Sequence, residues 1–111
     1  RDWTYVDDIV SGLLAMGVRQ QAVGEAINLG SGQEHRVIDM ANLVKAITGN
    51  QAGIRYAPRR NWDAKHRLLS SIQKANRLLG YRPQTDFETG LRKVHEWMVQ
   101  NWENIERDAE F

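Results

Sequence analysis

The chain has 111 residues, of which 41% are hydrophobic and 26% charged, enough for one ordinary globular domain with a modest core. A net charge of +1 gives no strong field toward nucleic acid or an anionic membrane. No apolar run approaches the ~20 residues of a membrane span, and the absence of cysteine excludes disulfides and thiolate metal sites. No signal peptide is visible, so a cytoplasmic location is expected. The chain opens at Arg1, without a methionine, and is patterned at once, which suggests a piece of a longer protein.

Val6, Ile9, Val10, Leu13 and Leu14 have the spacing of an amphipathic helix, with Asp7 and Asp8 in its first turn and Gly17 or Arg19 to close it. Glu25 to Leu29 reads as a short strand running into Gly30-Ser31-Gly32. The spacing predicts a second helix over roughly Ile38 to Thr48, with Met40, Leu43, Val44 and Ile47 on its buried face and Gly49 as its stop. Gly53 to Ala57 is a second strand-like run. Ser71 caps a third predicted helix, Ile72 to Leu79, that Gly80 ends. Thr85 and Glu88 have the spacing of a capping box and start a long last helix. Its apolar face holds Phe87, Leu91, Val94, Met98, Trp102 and Ile105, and the charged tail after Glu106 is expected to fray.

Four helices and two or three short strands make a small α+β domain over residues 1–111. So little sheet cannot stand alone, and the helices carry more apolar residues than it can cover. A missing neighbour is expected.

Arg59, Arg60, Asp63 and Arg67 fall within nine residues of one loop. Arginine presents a planar fork of donors that matches a phosphate, and an aspartate accepts from ribose hydroxyls or a base edge. The plain alternative is a solvated charged loop. Trp62 sits in the same polar stretch, where its ring is placed to stack on a base; the plain alternative is a core or interface ring, as for Trp3, Trp97 and Trp102. Gly30-Ser31-Gly32 lacks the third glycine of G-x-G-x-x-G, since His35 occupies that position, so a tight turn is the better reading. His35, His66 and His95 share no metal-ligand spacing. The chain contains no Tyr-x-x-x-Lys and no nucleophile elbow.

Taken together, the segments resemble the extended short-chain dehydrogenases/reductases, the NAD-dependent nucleotide-sugar epimerases and dehydratases of the UDP-galactose 4-epimerase type. Arg1 to Val10 (RDWTYVDDIV) resembles their R-D-[FWY]-x-x-V-x-D segment, and Asn28 to Gly32 their N-[IL]-G-[STN]-G turn. Pro58 to Asp63 resembles the P-x-R-x-x-D loop, Ile72 to Pro83 the S-K-A-x-x-x-L-G-[WY]-x-P helix, and Thr85 to Leu91 the start of the terminal helix. The order and spacing hold along nearly the whole chain.

The resemblance implies a C-terminal nucleotide-sugar-binding lobe, incomplete without its N-terminal Rossmann half. By that resemblance Arg1 and Arg60 grip the nucleotide diphosphate, Asp63 lies near the ribose or base, and Asp8 supports the lobe from the first helix. Ser71 stands where the family usually has an aspartate, and Val37 near a usual Ser or Thr cap. NAD and the catalytic Tyr-x-x-x-Lys belong to the missing half, so no catalytic residue is assigned here, and this fragment is expected to be inactive and to bind no NAD. The expected partners are a nucleotide-diphosphate sugar, the Rossmann domain and, in isolation, a second copy of the chain. A standalone binding module that has lost catalysis is the alternative, and a nucleic-acid binder is disfavoured by the charge.

Overall fold

The computed structural model describes residues 1–63 and 65–109. Among them the backbone forms α1 (Val6–Val18), α2 (Val37–Thr48), α3 (Gln73–Leu79) and α4 (Phe87–Asp108), with a 3₁₀ turn at Gln20–Ala22. The helix ends follow local chemistry. α2 and α3 stop on Gly49 and Gly80, whose φ angles of 65° and 70° lie in the left-handed region that glycine enters without penalty.

Two starts differ from expectation. Ser71 does not cap α3, which begins at Gln73 behind Ile72. The cap of α4 is Asp86, whose carboxylate accepts from the Thr89 N–H at 3.0 Å. An ionised carboxylate is the stronger acceptor for that end, and the Thr85 N–H is committed elsewhere. Glu88 pairs with Arg92 one turn on, at 2.6 Å, instead of closing a capping box. The last helix is regular through Asp108, past the expected fraying point at Glu106; Glu110 and Phe111 lie outside the described residues.

The two expected strands, Glu25–Leu29 and Gly53–Ala57, do not form, and no strand occurs among the described residues. β-propensity makes a segment ready to pair, but a strand exists only where another extended segment accepts its ladder. Neither run has such a neighbour among the described residues. The α+β expectation is therefore corrected to a helical arrangement joined by long irregular segments.

A small core sits where α1, α3 and the 3₁₀ turn meet. Ala22, Ala75, Leu79 and Tyr81 are buried, with Met16, Ile27, Leu29 and Ile72 packed against them. Gly12 permits this approach, since a Cβ there would stand 2.7 Å from a Leu29 methyl. α4 packs on α2, and its Gly90 is buried against Tyr5. Asp8, 4% exposed, ties α1 to the approach of α4 by accepting from the backbone N–H groups of Gln84 (2.8 Å) and Thr85 (3.1 Å).

Most of the apolar surface stays uncovered. Val6, Val10, Leu13, Leu14 and Val18 on α1 are exposed, as are Val94, Trp97, Met98 and Trp102 on α4. The accessible surface is 8900 Å², roughly 40% above the ~6,300 Å² usual for a folded monomer of this mass. The radius of gyration, 16.9 Å, likewise exceeds the ~13 Å of a compact chain this long. No described helix is long and apolar enough to cross a membrane.

Replacing Asp8 by Ala should lower the unfolding free energy by about 1–3 kcal/mol, because it strands two N–H donors that now share one buried acceptor. Denaturant titration with an unchanged m-value checks this.

Candidate functional site

Residues 1–4 run between two other segments, and Asp2 is where all three meet. Its carboxylate accepts from the Ser31 hydroxyl (2.6 Å) and N–H (2.9 Å), and from the N–H groups of Gly32 and Ser70 (both 3.1 Å). The Thr4 hydroxyl adds a fifth bond at 3.2 Å. Burial pushes the Asp2 carboxyl upward, but the bonds from Ser31, Ser70 and Gly32 outweigh it and hold the group below its ordinary range.

Gly30 has no side chain for a specific reason. A Cβ there would lie 2.5 Å from the Ser70 Cβ and 2.8 Å from the Asp2 carboxylate. The Tyr81 hydroxyl donates to the Gly30 carbonyl at 3.0 Å, and burial, reinforced by the charges of Asp8 and Asp2, raises its pKa. Gly30-Ser31-Gly32 is thus the tight turn expected, with N–H groups aimed at Asp2.

The same backbone places Arg1. Its N–H side donates to the His35 carbonyl at 2.7 Å, its carbonyl accepts from His35 N–H at 3.0 Å, and Asp2 N–H reaches the Leu68 carbonyl at 2.8 Å. From this anchored position the Arg1 guanidinium contacts the Asp63 carboxylate at 2.5 Å and the Lys65 carbonyl at 2.9 Å. Arg1 and Asp63, 62 residues apart in sequence, are therefore brought together.

Arg60 takes another position. Its guanidinium lies over the Trp62 ring, 5.2 Å from the centroid, and Trp62 is 75% exposed. The Asp63 carboxylate is shared between Arg1 and, at 3.9 Å, Arg59. Four residues singled out by the sequence thus form two pairs, Arg1–Asp63, which joins the opening segment to the loop, and Arg60–Trp62 within the loop.

Sequence reading missed several participants. A cleft of about 380 Å³ beside Arg1 is lined by Glu34, His35, Arg36, His66 and Arg67. Arg67 pairs with Glu34 at 2.5 Å and holds that carboxyl below its ordinary range. The His66 ring lies against Arg59, and the His35 ring stacks on Phe87 at 4.1 Å. No local spacing announces the Arg67–Glu34 and His35–Phe87 contacts, because their partners come from distant segments. Among the described residues no group of three or more metal-ligating side chains gathers.

Residues 1–94 match the family model described as GDP-mannose 4,6 dehydratase. The epimerase Mth375 of Methanothermobacter thermautotrophicus superposes on the whole chain with a TM-score of 0.97 at 62% identity, the chain covering 33% of it. The Bordetella bronchiseptica enzyme WbmF, solved with NAD⁺ and UDP, matches 96% of the chain at 34% identity and TM-score 0.78, the chain covering 32% of it. UDP-glucuronic acid decarboxylase 1 of Danio rerio is 30% identical over 104 residues, which are 94% of this chain and 24% of that protein. The chain therefore spans only a quarter to a third of the length of these proteins.

The depressed Asp2 pKa sets a pH dependence. A carboxylate whose folded pKa lies below its unfolded value stabilises the fold fully above the unfolded value, ~3.9, and loses that contribution as pH falls through the folded one. The stability difference between the wild type and Asp2→Asn should be constant from neutral pH to about pH 5 and shrink in more acid solution. Thermal melts across that range read the difference directly.

Proposed function

The chain belongs to the GDP-mannose 4,6-dehydratase family, and on that footing we propose that it is the nucleotide-sugar-binding lobe of an NAD-dependent sugar epimerase or dehydratase. Arg1 and Arg60 grip the diphosphate, Asp63 accepts from the ribose or base, and Trp62 offers its face to the base. The observation that carries this reading is the Arg1–Asp63 pair, drawn together across 62 residues and set beside the Arg60–Trp62 stack. Such a constellation offers bidentate phosphate donors, a ribose acceptor and an aromatic platform at one place.

The grip works by positioning. Holding the nucleotide, which does not react, converts its binding energy into orientation of the sugar. Phosphate oxygens compete with Asp63 for Arg1 and with the Trp62 ring for Arg60, and the exposed ring is the weaker of the two partners to leave.

The residues present do not fit NAD. The glycine-rich turn at 30–32 spends the N–H groups of Ser31 and Gly32 on Asp2, leaving no cradle for a pyrophosphate. The dinucleotide and the catalytic tyrosine and lysine are assigned to a Rossmann part outside this chain. The uncovered surface on α1 and α4 supports that division over a standalone module, because its excess matches what a large permanent interface removes from water.

In the protein that carries this chain, Arg60→Ala should weaken nucleoside diphosphate binding roughly tenfold to a hundredfold while slowing turnover at saturation much less. Arg60→Lys should recover part of the loss, since it keeps the charge but not the fork. Calorimetric titration with UDP, dTDP and GDP measures this, and unchanged affinity in Arg60→Ala removes Arg60 from the site.

The isolated chain should self-associate through the same uncovered faces, most simply as a twofold dimer. Light scattering over a concentration series reads the mass. A 12.8 kDa species persisting at the highest concentrations sinks the expectation.

A further inference from the structure

We propose that Asp2 is a positioning residue for the Arg1 grip, and that its negative charge, through the 30–32 turn and the 68–70 segment, sets the place of the guanidinium next to it. This rests on the nucleotide-binding reading of Arg1. Asp2 does not face the Arg1–Asp63 pair: its carboxylate is directed to Ser31, Gly32 and Ser70, on two segments separated from it by 29 to 68 residues. Those segments lead into the site. Leu68 and Ser70 close the far end of the loop that begins at Arg59, and the 30–32 turn leads to His35, which holds the Arg1 backbone on both sides.

The alternatives to this clamp are poor. The Ser31 and Ser70 N–H groups that reach Asp2 are partly buried, the Gly32 N–H is exposed, and all three share one acceptor, so a neutral side chain leaves the two buried donors underpaired. Gly30 admits no side chain without pushing Ser70 and Asp2 apart. Release of the clamp frees both walls against which Arg1 is laid, and the guanidinium then finds Asp63 and a phosphate only part of the time. A site loosened in this way loses affinity without losing any group that touches the ligand.

Asp8 provides the comparison. It also accepts two backbone N–H groups, but it joins α1 to the approach of α4 and touches none of the segments around Arg1. An effect on stability is expected of both residues; an effect on Arg1 is expected only of Asp2.

The test is a double-mutant cycle in the full-length protein, read by calorimetry with whichever of UDP, dTDP and GDP the wild type binds tightest. Asp2→Asn should weaken binding about tenfold, the scale of one hydrogen bond to a charged group. Adding Asp2→Asn to Arg1→Ala should cost no more than about twofold further, because the group being positioned is already gone. Asp8→Asn should lower the melting temperature yet leave affinity within about twofold. Where Asp2→Asn fails to fold, Ser31→Ala takes its place, removing the 2.6 Å hydroxyl bond to Asp2 together with the exposed local contact to Gln33, with a loss of about threefold that likewise vanishes on the Arg1→Ala background. Losses that multiply with Arg1→Ala, or unchanged affinity in Asp2→Asn or its substitute, overturn the positioning role while leaving the nucleotide reading intact. A wild type that binds none of the three diphosphates overturns that reading and this inference with it.

Discussion

A carboxylate that accepts from three backbone N–H groups, two of them partly buried, joins segments that no apolar contact around the core brings together. Asp2 draws the 30–32 turn and the 68–70 segment onto residues 1–4, and nothing in the small hydrophobic cluster around Ala75 and Leu79 would do so. Hydrogen bonds to an ionised acceptor are about twice as strong as neutral ones, and leaving such donors unpaired costs more than making them gains. The requirement propagates outward. It demands glycine at position 30, and the Tyr81 hydroxyl then secures that glycine's carbonyl.

Asp2 and Asp8 together take over a task that a sheet performs in many small domains. Backbone donors in irregular segments must find acceptors somewhere. Here the chain contains extended runs that do not pair with each other, and side-chain carboxylates accept where a neighbouring strand would. The geometry is rigid at those two points and loose between them, which suits a lobe that presents a loop on one side and apolar helices on the other.

The local parts of this arrangement were legible in the sequence. Periodicity located all four helices, and Gly49 and Gly80 gave their stops, because those signals act within a few residues. The start of α4 was misplaced by one residue, since Thr85 and Asp86 are both good caps and only the contact with Asp8 decides between them. The strands were misread because propensity says nothing about whether a partner strand is present. Arg1, Arg60 and Asp63 were found through a family pattern and Trp62 through its place in the polar loop, and the four form two pairs. Asp2 drew no assignment, and the roles of Glu34 and His35 were invisible, as each depends on segments that meet only after folding.

The span of these contacts bears on the order in which the molecule assembles. Helical turns close within four residues, whereas Asp2 to Ser70 and Arg1 to Asp63 close loops of 68 and 62 residues. Loop closure must be met in entropy before such contacts return any energy, so they form after the helices and give way before them. Occupancy of the arginine loop is consequently a late event in folding and an early loss in unfolding. A ligand held there acts on the step that joins the ends of the chain, slowing the reopening of the whole loop while the helices exchange as before.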